Sequence, residues 1–172
     1  MSNNEFITGY IASFFLPNIQ RIYSILSKKQ VSEYLKKKIK NKKTIKICDI
    51  GSGPLSAVFG VLFFLGEVIN EIPDFEIVTV EKSQDIFDFG QKILPKVIDT
   101  SKVKIRNIKN ISLVEGTFDI VCSANVLNEI PNSIQNSYIK KIYEITENGG
   151  VYLSVEPGQD HYSKRLSFVR DN

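Results

Sequence analysis

The stretch ICDIGSGPLS, residues 47–56, contains a short apolar run with Asp49 at its end, followed by a glycine-rich turn. Gly51 and Gly53 can take backbone angles that other residues avoid, and they can let a ligand approach the main chain closely. Pro54 suits the first turn of a helix. Open parallel sheets bind ligands at the carboxyl ends of their strands. This turn is therefore predicted to form the base of a ligand-binding site, in which Asp49 orients the loop or the ligand. An ordinary strand-to-helix turn is the alternative for a glycine pair alone.

Around this turn, apolar runs alternate with helical stretches. The predicted fold class is α/β: a Rossmann-like, doubly wound, mostly parallel sheet of about five strands preceded by N-terminal helices. The strands are predicted at residues 45–50, 77–81, 103–108, 118–124 and 150–155. Helices are predicted at residues 54–70, 83–97 and 133–147, with little helix between the third and fourth strands.

The region before the sheet is predicted to be helical. Apolar residues recur at helical spacing from Glu5 to Leu26, and Pro17 is predicted to divide this stretch into two helices. A further amphipathic helix is predicted at residues 29–39. Residues 1–43 are therefore expected to be N-terminal helices that pack on a Rossmann-like domain, residues 44–172.

Composition and charge favour one globular domain. The chain has 172 residues, of which 42% are hydrophobic and 24% are charged, enough for a packed core. A formal net charge of +3 does not by itself indicate a nucleic-acid-binding protein. Six lysines lie within residues 36–43 (KKKIKNKK), which permits RNA contact; a solvated helix end and loop is the alternative.

Cysteine usage and hydropathy indicate a reducing, intracellular environment. Cys48 and Cys122 lie inside apolar runs, as small buried hydrophobes do, so a cytoplasmic location is predicted and a mitochondrial one stays open. Two cysteines and one histidine cannot supply four zinc ligands without carboxylates, so no metal site is expected. Residues 55–65 span only about half a bilayer, and the N-terminus lacks a signal peptide's basic stretch, so no membrane association is predicted.

The second predicted strand, EIVTVEKS, closes with Glu81. An acidic residue there is positioned to accept hydrogen bonds from both hydroxyls of a ribose. An exposed strand-end carboxylate beside Lys82 is the alternative. Leu55 and Ser56 stand where a dinucleotide fingerprint has its third glycine, which disfavours NAD. A sulfonium nucleoside has no pyrophosphate and makes fewer demands on the helix N-terminus.

The fourth strand and its continuation, FDIVCSANVLNEIP (residues 118–131), provide the candidate catalytic residues. Asn125 and Asn128 can bind a nucleophile, and Glu129 can remove a proton. Capping of the next helix is the alternative for each.

The fifth strand brings further polar residues to the same edge. The segment GGVYLSVEPGQDH, residues 149–161, delivers Glu156, Pro157 and Gly158 there, with His161 behind them. A solvent-facing loop position is favoured for His161 over a general base, because nothing in the sequence orients its ring.

Four of these segments together resemble the successive motifs of class I S-adenosylmethionine (SAM)-dependent methyltransferases: ICDIGSGPLS, VTVEKS, FDIVCSANVLNEI and GGVYLSVEPG. The match covers about residues 45–158. More narrowly, YIASFFLPNIQRIYSIL (residues 10–26), the GSGP turn, NVLNEIP and VEPG followed by Arg170 look like the methyltransferase-like family associated with mitochondrial small ribosomal subunits and its bacterial relatives.

This resemblance implies a binding role for each matched position. Glu81 would hold the ribose, residues 124–127 the methyl-bearing face, and Asn107 or Asn110 would contact the adenine. The methionine part would be held by Asp49, Gly51, Ser52, Gly53 and Pro54. The implied cofactor-binding set is Asp49, Gly51, Ser52, Gly53, Pro54, Glu81, Lys82, Asn107, Ala124, Asn125, Val126 and Leu127.

The sequence ends before two features of the resembled families. The ribosomal family carries a cysteine-rich, basic C-terminal part, and the class completes its sheet with an antiparallel hairpin. This sequence stops at Asn172 without either. A fragment, a truncated gene product or a subunit completed in a homo- or hetero-oligomer is therefore expected.

The predicted function is methyl transfer from SAM to an oxygen, nitrogen or carbon acceptor, for which RNA or the ribosome is a possible source. A non-catalytic nucleoside-binding or ribosome-associated module is the alternative. A nicotinamide-dependent dehydrogenase is disfavoured by the missing third glycine.

Overall fold

One parallel sheet organises the fold in a computed structural model, which describes residues 3–156 and the side chains of residues 8–156. Its strands are β1 Thr44–Ile50, β2 Asp74–Val80, β3 Val103–Ile108, β4 Phe118–Ala124 and β5 Thr146–Val155. Neighbouring strands are all parallel, in the order β3-β2-β1-β4-β5. The chain runs outward from β1 in both directions, so the gap between β1 and β4 is the switch point where such sheets bind ligands.

Helices precede the sheet and connect its strands. They are α1 Asn3–Leu26, α2 Lys29–Ile39, α3 Ser56–Val68, α4 Gln84–Ile93 and α5 Asn132–Ile145. Short 3-10 helices lie at Leu94–Lys96, Thr100–Lys102 and Ile111–Leu113. The predicted α/β class with N-terminal helices is confirmed, as is the scarcity of helix between β3 and β4.

Helix α1 corrects the prediction that Pro17 divides two helices, because it continues through this proline. Packing on both sides of Pro17 explains the continuity: Phe15 contacts the Phe59 ring edge-on at 5.6 Å, and Ile22 is fully buried. The carbonyl that proline leaves without a helical donor belongs to Ser13, whose side chain is exposed, so water can solvate it.

The helix after the glycine turn starts later than predicted, at Ser56 instead of residue 54. Leu55 has φ of +66°, in the left-handed region, and its N–H donates to the Ser52 carbonyl at 2.9 Å. Pro54 and Leu55 thus belong to a tight turn. The predicted helix 83–97 is shorter as well: α4 ends at Ile93 and a 3-10 turn follows, because Pro95 has no N–H to donate to the Gln91 carbonyl.

Strand β1 begins one residue earlier than predicted, at Thr44, and two further strands begin several residues earlier. Strand β2 starts at Asp74, because the Asp74 N–H already donates to the Lys43 carbonyl at 3.0 Å beside β1, and it ends before Glu81. Strand β5 starts at Thr146, inside the predicted helix 133–147, and a bulge near Phe118 absorbs its extra residues. Long-range pairing, invisible to local periodicity, sets both boundaries.

Helices cover both faces of the sheet. On one face, α1 crosses α3 closely at Gly60, where an added Cβ would stand 2.8 Å from the Ile19 carbonyl oxygen. On the other face, Ile142 and Ile145 of α5 pack against the strands. Cys48 and Cys122 are buried and free, as predicted, and burial raises the pKa of Cys48 to about 12. Across residues 3–156, every helix is too short or too polar to cross a bilayer.

Candidate functional site

The glycine turn, residues 51–55, lies across the carboxyl ends of β1 and β2. The N–H groups of Gly51 and Ser52 donate to the Val80 carbonyl at 2.8 and 3.3 Å. Gly51 has φ of +65° and Gly53 φ of +51°, values at which a side chain introduces strain. The sequence therefore needs glycine here to tie the end of β1 to the end of β2.

Glu81 faces this turn. Its Oε2 accepts from the Gly53 N–H at 3.0 Å, and its Oε1 accepts from the Ser83 N–H at 2.7 Å. A carboxylate has about four lone-pair positions, so each oxygen can accept a further hydrogen bond. Glu81 thus connects the turn to the start of α4 while keeping acceptor capacity for a ligand hydroxyl.

Asn107 of β3 holds the backbone of Glu81. Its Nδ2 donates to the Glu81 carbonyl at 3.1 Å, and its Oδ1 accepts from the Glu81 N–H at 3.1 Å and from Thr79 Oγ1 at 3.0 Å. Asn110, the other adenine candidate, accepts from the Ser112 N–H at 3.0 Å. Both amides therefore serve local structure. Lys82 is exposed next to Glu81.

Asp49 and Ser52 bring buried polar atoms without partners to the turn. Among the residues whose side chains are described, the buried oxygens that lack a hydrogen bond are Asp49 Oδ2, Ser52 Oγ and Asn128 Oδ1. Burial raises the pKa of Asp49 to about 8; the Val58 backbone N–H opposes this rise and the Glu81 charge adds to it. Native proteins pair nearly all buried polar atoms, so three unpaired oxygens at one edge of the sheet form a set that suits a polar ligand.

The loop after β4, residues 125–131, is held by Glu156. Its Oε1 accepts from the N–H groups of Val126 and Leu127 at 3.1 and 3.0 Å, and its Oε2 accepts from Asn128 at 3.4 Å. Burial raises the pKa of Glu156, while these N–H groups oppose the rise. The sequence analysis predicted that Glu156 lies at this edge of the sheet, but it did not predict that Glu156 binds the loop after β4.

The candidate catalytic residues lie on this loop. Asn125 has φ of +60°, and its Nδ2 lies 3.5 Å from Asn18 Oδ1. Asn128 is half-buried and Glu129 is exposed. Helix α5 starts after Pro131 without a side-chain cap, so the alternative capping role is not seen for these residues in the part of the chain described.

The predicted methyl-bearing face, residues 124–127, divides into parts with different surroundings. Val126 covers Gly51: a Cβ on that glycine would stand 2.3 Å from Val126 Cγ2. Leu127 is fully buried in a small cluster with Ile130 and Ile139, so it anchors the loop. Ala124 ends β4 half-buried.

Helix α1 contributes two residues that the sequence interpretation missed. The Tyr10 hydroxyl lies 3.2 Å from the position of a Cβ on Gly53. Asn18 is buried at 4% exposure and accepts from Arg21 as well as Asn125. The available signal was their shared register, since Tyr10, Phe14, Asn18 and Ile22 recur every four residues with an amide inside an apolar stripe.

The lysine run lies at the other end of the sheet. Lys42 contacts Asp119 and pairs with Glu147 Oε2 at 2.8 Å, and Lys38 donates to the Asn148 carbonyl at 2.9 Å. Because β1 intervenes, with a rise of about 3.3 Å per residue, the run is on the order of 20 Å from the glycine turn. Pro157, Gly158, His161 and Arg170 lie outside the described residues.

Solved structures share this fold. A putative methyltransferase from Thermoplasma acidophilum superposes with a TM-score of 0.52 at 18% identity, covering 73% of this chain and 49% of its own. The DhpI–SAM–HEP complex gives a TM-score of 0.50 at 12% identity, covering 100% of this chain and 73% of that chain. The fold is thus the Rossmann-like fold of class I SAM-dependent methyltransferases.

The sequence also has a curated relative. An uncharacterized methyltransferase of Schizosaccharomyces pombe is 29% identical over 126 residues, which are 69% of this chain and 41% of the relative. The chain therefore spans less than half the length of that protein. No family model matches the chain.

Proposed function

We propose that the chain binds SAM across the glycine turn and acts in methyl transfer. The carrying observation is that Asp49 Oδ2, Ser52 Oγ and Asn128 Oδ1 are buried without partners among the described residues, all at the carboxyl edge of the sheet. The shared fold and the curated relative's name support the same activity. In this proposal residues 1–43 pack as helices on the SAM-binding domain, residues 44–172.

The described cradle fits the chemistry of SAM. Its sulfonium and ammonium groups are cations, which suit the buried carboxyl of Asp49, and its carboxylate suits the Ser52 hydroxyl, which is buried without a partner among the described residues. Glu81, whose backbone is hydrogen-bonded to Asn107, accepts hydrogen bonds from the ribose hydroxyls. SAM supplies an activated methyl group, and the chain supplies alignment.

On the acceptor side, Asn128 Oδ1 is a hydrogen-bond acceptor for an O–H or N–H nucleophile. Asn125 orients the approaching group, and the exposed Glu129 carboxylate takes its proton. Alignment contributes most of the rate, because methyl transfer needs the attacking atom in line with the bond that breaks.

We further propose that the methyl acceptor is RNA or a ribosomal particle. Four lysines of the run stay exposed: Lys36, Lys37, Lys40 and Lys43. Because the run lies at the far end of β1, it would hold a large RNA beyond the methylated nucleotide, by phosphate contacts that carry no sequence information. A partner subunit that completes the acceptor side belongs to the same proposal.

A non-catalytic nucleoside-binding module is the second candidate. The observation that favours it is the loop after β4, where Glu156 already takes the N–H groups of Val126, Leu127 and Asn128. These three N–H groups are then not available to orient a methyl acceptor.

Calorimetry with SAM, S-adenosylhomocysteine and NAD tests the cofactor. We expect the first two to bind and NAD to fail, with Glu81→Gln weakening both nucleosides and the exposed Glu115→Gln serving as control. Preferential NAD binding would contradict the proposal. Transfer of labelled methyl to RNA and small-molecule pools then tests the activity. Tight binding without transfer to either pool would favour the binding module.

A further inference from the structure

Packing against α3 and α4 fixes how α1 lies over the glycine turn. Phe15 makes edge-on contacts with Phe59 of α3 at 5.6 Å and Phe89 of α4 at 5.8 Å. A few residues further along α1, its backbone packs directly against Gly60, where an added Cβ would stand 2.8 Å from the Ile19 carbonyl oxygen. These contacts set the position of the preceding turns of the helix, where Tyr10 places its hydroxyl on Gly53.

Tyr10 is a neutral hydrogen-bond donor in an acidic environment. Burial raises the pKa of its phenol, and the negative charges of Glu81, Glu129 and Asp49 raise it further. The phenol therefore stays protonated at neutral pH. Glu81 and Glu129, which contribute to this rise, make this part of the site electronegative, while the buried Asp49 carboxyl stays mostly neutral near pH 7.

We propose that Tyr10 is a positioning residue of the cofactor site, whose hydroxyl donates a hydrogen bond to the carboxylate at the amino-acid end of SAM. This inference rests on the proposed function. The cationic groups of SAM match the surrounding carboxylates, but its own carboxylate is repelled by them unless neutral donors receive it. The Tyr10 and Ser52 hydroxyls, both at the glycine turn, are such donors.

Two ligands that differ in the amino-acid end test this contact. S-Adenosylhomocysteine contains that end, whereas 5′-methylthioadenosine lacks it and keeps the nucleoside. In calorimetry on the full chain, Tyr10→Phe is expected to weaken S-adenosylhomocysteine about tenfold or more, the loss typical of a hydrogen bond to a charged group. Its affinity for 5′-methylthioadenosine is expected to stay at the wild-type value.

Tyr23→Phe is the matched control. It removes the hydroxyl of another α1 tyrosine, which donates to Glu67 Oε2 at 2.7 Å away from the turn, and it is expected to leave both affinities unchanged. Thermal unfolding of each variant verifies its fold.

Three results would overturn the inference: unchanged S-adenosylhomocysteine affinity in Tyr10→Phe, equal weakening of both ligands, or tighter binding. Equal weakening would mean that Tyr10 acts only through the fold, and tighter binding that it merely covers the turn. If the wild-type chain bound neither ligand, the proposed function would fail, and this inference with it.

Discussion

The carboxylate of Glu156 accepts a hydrogen bond from the backbone N–H of Val126 at 3.1 Å, and so joins the end of β5 to the loop after β4. The same carboxylate accepts from Leu127 and Asn128. Three successive N–H groups around one anion form a preorganised concavity, here filled by the protein itself. The position of Val126 above Gly51 therefore depends on a residue of a different strand.

Removing this carboxylate should loosen the loop. Glu156→Ala leaves three N–H groups without their acceptor, so we expect the free energy of unfolding to fall by about 1–3 kcal/mol. Affinity for S-adenosylhomocysteine should fall too, because Val126 and Asn128 lose their support. Urea denaturation and calorimetry measure the two effects. The exposed Glu115→Ala is the control, and equal behaviour of the two variants would contradict the assigned role.

Asn107 should act on the ribose subsite alone. Asn107→Ala removes the paired hydrogen bonds to the Glu81 backbone, whose N–H keeps only its bond to the Ile108 carbonyl at 3.0 Å, so the Glu81 carboxylate is held less firmly against Gly53. We expect S-adenosylhomocysteine and 5′-methylthioadenosine to weaken by the same factor, unlike in Tyr10→Phe. Asn110→Ala, which removes only a local turn contact, is the comparison. A loss confined to S-adenosylhomocysteine would contradict the assignment of Glu81 to the ribose.

Ionisation of Asp49 should make the free energy of unfolding depend on pH. Its pKa rises from 3.8 to about 8 on folding, mainly through burial. Between those values the folded protein keeps a proton that the unfolded chain releases. This contribution to stability is therefore complete below the unfolded pKa and is lost as pH rises through the folded pKa.

Asp49→Asn cannot ionise, so its stability relative to wild type should increase from about pH 4 to about pH 8 and stay level above that. Urea denaturation across this range measures the difference. The exposed Asp74→Asn is the control and should run parallel to wild type. A constant difference between Asp49→Asn and wild type would show that Asp49 is already ionised in the folded protein.

Cofactor binding should release a proton from Asp49. A sulfonium or ammonium cation beside a neutral carboxyl lowers its pKa, so near neutral pH SAM binding should release up to about one proton per site. Calorimetry in buffers of different ionisation enthalpy counts the proton. S-Adenosylhomocysteine, which lacks the sulfonium charge, should release less. The Asp49→Asn variant should release none from this site, and release equal to wild type would exclude Asp49 as its source.

The crossing of α1 over α3 should control cofactor affinity from a distance. In Gly60→Ala the new Cβ would stand 2.8 Å from the Ile19 carbonyl oxygen, so α1 must shift and carry Tyr10 with it. We expect a lower melting temperature and weaker S-adenosylhomocysteine binding. Gly66→Ala is a matched control on the same helix, because its Cβ meets nothing within 4 Å. Unchanged affinity in Gly60→Ala would mean that α1 is not part of the site.

The amino-acid sequence by itself determined the parallel α/β class, the glycine turn after β1 and the position of Glu81 at the end of β2. These features depend on hydrophobic periodicity and on glycine's access to positive φ, both of which act over a few neighbouring residues. The same apolar runs predicted that Cys48 and Cys122 are buried.

Only the tertiary structure decided which side chains complete the site. Tyr10 meets Gly53 because α1 packs on α3, Asn107 holds Glu81 through the pairing of β2 with β3, and Glu156 reaches Val126 because β5 lies beside β4. The continuity of α1 through Pro17 has the same origin, since packing outweighs the one helical hydrogen bond that proline removes. Such contacts join residues far apart in the chain, and their energy depends on a packing geometry that no local pattern contains.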